Sequence, residues 1–149
     1  MSTRSNAISV LNDLIQTCKD GQEGFKTASE SVTDSSLKFL FSEYSLQRGQ
    51  FAGVLQREVA TLGGNPETGG SVSASFHRGW INLKSAVTGN DESSIVAECE
   101  RGEDAARDTY NDALKQDLPA DIRAIIERQA SEVQQAHNRI RSLEVKMSH

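Results

Sequence analysis

A chain of 149 residues with 36% hydrophobic residues, 25% charged residues and two prolines has the length of one domain and the composition of a globular helical protein, far from disordered or collagen-like chains. Its apolar runs are only a few residues long, too short to cross a bilayer, so no membrane partner is expected. A net charge of -5 with both signs interspersed lacks the clustered positive surface that a phosphate backbone requires, and nucleic acid is excluded as a partner.

The opening stretch MSTRSNAISVLNDL has neither an apolar core of signal-peptide length nor a small-residue cleavage site, so a cytoplasmic protein is expected. Ile8, Leu11, Ile15, Cys18, Phe25 and Ala28 then recur at helical spacing and predict an amphipathic helix over about 6–32. Thr33, Asp34 and two serines offer capping groups before a second stripe of Leu37, Leu40, Phe41, Tyr44, Phe51, Leu55, Val59 and Leu62, a helix over about 34–62 stopped by Gly63 and Gly64. The run GGNPETGGSVSAS is the clear loop of the chain. Phe76, Trp80, Leu83 and Val87 predict a short helix over about 72–88 that ends at Gly89. Val96, Cys99, Ala106, Tyr110, Ala113 and Leu114 mark a helix over about 91–116. Pro119 suits a first helical position, and Ile122, Ile126, Val133, Ala136, Ile140, Leu143 and Met147 complete a last helix over about 119–147, with Arg139, Arg141 and Lys146 near its C-terminal dipole.

Four long amphipathic helices and no strand signal make the chain one all-α domain over residues 1–149. The long excursion between the second and third long helices, with its own short helix, predicts an antiparallel four-helix bundle with one crossover, the ferritin-like arrangement. Cys18 and Cys99 are far apart with no CxxC and read as reduced core residues. The glycines inside helices, Gly21 and Gly24 first among them, read as places of close packing.

Continuing each stripe through its helix leaves Gln22, Gln47, Glu103 and Gln129 at interior positions near mid-helix. Ferritin-like di-metal sites sit at this level, built from one Glu on each of two helices and a Glu-x-x-His on each of the other two. The second helix offers Gln47 and Gln50 where that motif would stand, and the last offers Gln134 and His137, so both motifs are degenerate. Two readings follow. In one, Glu23, Glu100, Glu103 and His137 hold iron, manganese or zinc. In the other, no metal or cofactor is bound, and the amides of Gln22, Gln47 and Gln129 form a hydrogen-bonded layer with Glu103. His77, His137 and His149 are scattered with no i, i+4 pair, His77 reading as a connector cap, and no GxSxG turn supports hydrolase chemistry, so no catalytic residue is assigned.

The segments LNDLIQTCKDGQEGF, QRGQFAGVLQREVATLGGNPE, HRGWINLK, AECERGEDAARDTY and QASEVQQAHNRI, in this order, resemble an uncharacterised bacterial family of ferritin-like four-helix-bundle proteins. The likeness runs from about Ala7 to Leu143 and is most specific at HRGW and CERGED. The resemblance implies the bundle and no mechanism; a link to stress follows by association alone. The preferred reading is a non-catalytic bundle that self-associates as a dimer, with Phe76 and Trp80 closing the bundle or lining the dimer surface. The alternative is a metal-binding bundle with a redox or storage role.

Overall fold

The protein is described from a computed structural model, for residues 3–66 and 79–147. Five α-helices lie within these residues: α1 Thr3–Ser31, α2 Ser35–Thr61, α3 Leu83–Thr88, α4 Glu92–Leu114 and α5 Ala120–Met147. No helix is long and apolar enough to cross a membrane among the described residues.

The helix ends follow local chemistry. Asp34 caps α2, its Oδ1 accepting from the amides of Ser36 at 2.8 Å and Leu37 at 3.1 Å. Glu92 at the start of α4 reaches across to the same turn, where its Oε1 accepts from the Thr33 hydroxyl at 2.6 Å and the Asp34 amide at 3.0 Å. These hydrogen bonds hold the Glu92 carboxyl below its ordinary range. Beyond α2, Gly63 takes a positive φ of 84°, a conformation open to glycine. Asp91 caps α4 through the Ser93 amide at 3.2 Å.

The three-residue turn between α1 and α2 folds them into an antiparallel hairpin, α4 and α5 form a second, and α1 packs against α4 while α2 and α5 touch at few points. The long crossover between α2 and α4 carries α3, which is the arrangement expected of a ferritin-like bundle. The short helix is shorter than its apolar spacing suggests. Residues 79–82 are not helical, with a bend at Gly79 and a turn at Ile81 and Asn82, and the expected helical stretch from 72 to 78, with Phe76 and His77, lies outside the described residues. Gly79 explains the break: its φ is +92°, and a Cβ there would sit 2.5 Å from the Arg101 carbonyl oxygen.

Next to that break, Trp80 is buried and enters the core. Its indole lies over Gly24 of α1 and Gly102 of α4, so that a Cβ at either glycine would overlap the ring. Its edge meets the Phe25 ring at 5.1 Å between centroids and 75° between planes. Trp80 therefore closes the bundle interior. The remaining core divides in two. One apolar cluster includes Leu11, Leu14, Cys18, Phe51, Leu55, Tyr110, Ile126 and Val133, and the other Phe25, Phe41, Trp80, Leu83, Val96, Cys99 and Ile140.

Filling the indole's slot should be costly. Gly102→Ala should lower stability by about 1–3 kcal/mol through overpacking, despite alanine's better helix propensity. Trp80 is the only tryptophan, so a lower thermal midpoint accompanied by red-shifted emission checks the displacement directly.

Candidate functional site

Between the two apolar clusters the α2 stripe carries Arg48, one turn from both Tyr44 and Phe51, and the α4 stripe carries Glu103 between Cys99 and Ala106. Both are almost wholly buried. Arg48 Nη1 donates to Glu103 Oε1 and Nη2 donates to Glu103 Oε2 at 2.7 Å, a bidentate ion pair at mid-bundle. The guanidinium stem passes Gly21, where a Cβ would lie 3.4 Å from Arg48 Cγ, and the guanidinium carbon stands 5.4 Å from the centroid of the Phe25 ring. Burial disfavours the charge on Arg48, but the adjoining Glu103 carboxylate outweighs it and holds the guanidinium above its ordinary range.

One layer along, the Tyr110 hydroxyl donates to Gln129 Oε1 at 2.7 Å and lies 3.1 Å from Cys18 Sγ. Gln129 Nε2 reaches the Phe51 carbonyl at 3.5 Å. The polar layer exists, but its pairings differ from the expected ones of the Gln22, Gln47 and Gln129 amides with one another and with Glu103. Glu103 is satisfied by arginine, Gln129 by tyrosine, and the Gln22 amide packs over Gly49, where a Cβ would come within 2.7 Å of it. Arg48 escaped the sequence reading because a lone arginine usually marks the solvent face; its place in the Tyr44 to Phe51 step was the available signal.

The residues present do not fit a di-metal pair at this level. Such a pair needs carboxylates free to bridge two cations, yet both Glu103 oxygens are held by Arg48. Glu23 and Gln50 are exposed, Gln47 Oε1 faces Arg48 Nε at 3.4 Å, and Gln134 donates to Asn138 at 2.9 Å.

Of the candidate ligands, Glu100 and His137 do come together, on the seam between α4 and α5 and not at the centre. With Asp104 they place one ligand atom each within 4.8 Å of one another. His137 Nε2 lies 2.5 Å from Asp104 Oδ1. Asp104 was missed, although its i, i+4 spacing from Glu100 puts both on one face of α4. Burial raises the Glu100 carboxyl above its ordinary range, and the Glu144 and Asp104 carboxylates add to the rise, while Arg141 opposes it.

Two measurements check the central layer. Arg48→Met should cost about 3–5 kcal/mol in urea unfolding, because Glu103 is left buried and unpaired, and adding Glu103→Leu should restore most of that loss. Burial also pushes the Cys18 thiol from 9.0 to about 11 against its Tyr110 hydrogen bond, and drives Cys99 and Tyr110 well above their ordinary values. A group whose folded pKa is raised keeps its proton while the unfolded chain loses it, so stability should fall as pH rises from about 9 to about 11. Urea midpoints that stay level across that window would contradict the burial of these groups.

No curated protein matches the chain. Among solved structures, a Dps1 point mutant from Mycobacterium smegmatis is similar over 97% of this chain and 99% of that chain, with a TM-score of 0.77 at 13% identity. That likeness establishes a ferritin-like fold. The profile of the domain of unknown function DUF2383 matches residues 6–116, well over half of the sequence. The chain belongs to this DUF2383 family, and its architecture is ferritin-like.

Proposed function

We propose that this chain is a non-catalytic ferritin-like module that self-associates, its bundle centre held by an arginine–glutamate pair in place of a metal pair. The observation that carries the reading is the commitment of both Glu103 oxygens to Arg48, which removes from cation binding the carboxylate nearest the middle of the bundle. Self-association is supported by the outer face of α2. Phe39 and Leu46 are 67% and 63% exposed, and their seven-residue spacing puts them on the same face, two turns apart. Two large apolar side chains so placed lose unfavourable hydration when a second copy covers them.

A second reading, cation binding with a redox or storage role, is favoured by one observation: the proximity of Glu100 and His137 on the α4–α5 seam.

Light scattering on the full chain at micromolar concentration should give the mass of a dimer, and Phe39→Glu combined with Leu46→Lys should give a folded monomer. A monomeric wild type sinks the self-association. In parallel, added ferrous iron should oxidise no faster than in buffer. Oxidation accelerated by the wild type and abolished by Glu103→Gln would overturn the metal-free centre.

A further inference from the structure

On the outer seam of α4 and α5, Glu100 and Asp104 stand one turn apart on α4, and His137 projects from α5 toward them. Glu100 and Asp104 also line an open cleft of about 470 Å³, together with Ser93, Ser94, Arg101 and Glu144. The cleft gives solvent access from outside, and His137, only 4% exposed, closes the cluster from the protein side.

The cluster is more than surface acidity. Glu100 is 8% exposed, yet its Oε2 finds no hydrogen-bond donor, and a buried carboxylate oxygen left in that state carries a desolvation cost. The cations that face the group stand at the edge of bonding range. Arg141 Nη1 is 3.4 Å from Glu100 Oε1, Arg107 Nη2 is 3.6 Å from Asp104 Oδ1, and Arg107 Nη1 is 3.5 Å from His137 Nε2. The Arg141 side chain is 65% exposed and free to swing aside. The contrast with the close bidentate grip of Arg48 on Glu103 is plain. Here Arg141 donates to Glu100 Oε1 and Arg107 pairs with Asp104 at longer range, and Glu100 Oε2 is left without a donor.

From these observations we propose that Glu100, Asp104 and His137 bind a single divalent transition-metal cation, with Glu144 at the rim and water from the cleft completing its shell. One imidazole and two carboxylates form a borderline ligand set that suits zinc or manganese better than magnesium or calcium. Ligands about 2.1 Å from a common ion lie at most roughly 4.2 Å apart, so ligand atoms within 4.8 Å of one another need only side-chain adjustments to converge. When His137 ligates through Nε2 its ring proton resides on Nδ1, and the contact it now makes with Asp104 becomes a shared bond to the ion. The cation also adds positive charge where Glu100 and Asp104 face each other across less than 4.8 Å. The site is separate from the bundle centre and does not depend on what fills that centre.

The test is a titration of the chelator-treated full chain with Zn²⁺ and with Mn²⁺ by calorimetry, with Co²⁺ absorption reporting the ligand field. One ion per chain is expected. Affinity should fall about 100-fold in His137→Gln and at least tenfold in Asp104→Asn, and stay unchanged in the double variant Arg48→Met with Glu103→Leu, which removes the central carboxylate without leaving a buried charge unpaired. Asp104 is 43% exposed in its side chain, so its variant remains folded even where loss of buried His137 perturbs packing. No saturable uptake by the wild type, or uptake indifferent to both seam variants, overturns the proposal and leaves the metal-free centre standing. Uptake lost only in that double variant overturns both.

Discussion

Burying a guanidinium and a carboxylate side by side constrains a helical bundle more tightly than any single apolar contact. Arg48 and Glu103 are both taken out of water, and each tolerates this only because the other is there. A slip of α2 by one residue would carry Arg48 round by about 100°, away from Glu103, and leave that carboxylate buried alone. Apolar side chains on either side of the layer could repack at modest cost; the ion pair could not. A pair of this kind adds little net stability over a well-packed apolar layer, but it penalises wrong registers heavily. The two apolar clusters are the halves of the core that it separates.

The short segment Cys99 to Asp104 shows how one helical turn serves two environments. Cys99 and Glu103, four residues apart, face the core, whereas Glu100 and Asp104, also four apart and rotated by one position, face the seam with α5. At the centre a carboxylate meets a fixed, fully buried cation. At the seam two carboxylates and an imidazole meet two arginines that stand off at 3.4–3.6 Å. The same residue types are therefore satisfied in one place and under-satisfied in the other, and the difference lies in which neighbouring helix supplies the counter-charge. The centre is a structural joint, and the seam is where the proposed cation site lies.

Trp80 ties the crossover to this scheme. Gly24 and Gly102 leave a flat slot between α1 and α4, and Gly79 bends the chain so that the indole can enter it beside Phe25. The crossover is thus anchored inside the bundle, next to the aromatic side chain on which the Arg48 guanidinium rests. Glycines that weaken helices locally are repaid here by close approach of a large ring.

Helical spacing determined much of this protein without any coordinates. The four apolar stripes, the capping turn from Thr33 to Ser36 and the glycine stop after α2 are local properties, because periodicity, capping and positive φ depend on neighbours within a turn or two. The length of the crossover was likewise sufficient to distinguish a ferritin-like bundle from a simple up-and-down one. The existence of a polar layer at mid-helix was also legible, from Gln129 and Glu103 interrupting their stripes. What fills that layer was decided only in three dimensions. Arg48 and Glu103 are 55 residues apart, and no local pattern says that an arginine will be buried, since only the partner across the bundle makes its burial tolerable. The seam cluster is of the same kind: Glu100 and Asp104 share a face by spacing alone, but the approach of His137 from 33 residues beyond Asp104 depends on how α5 is rotated against α4, which the packing of the whole core sets.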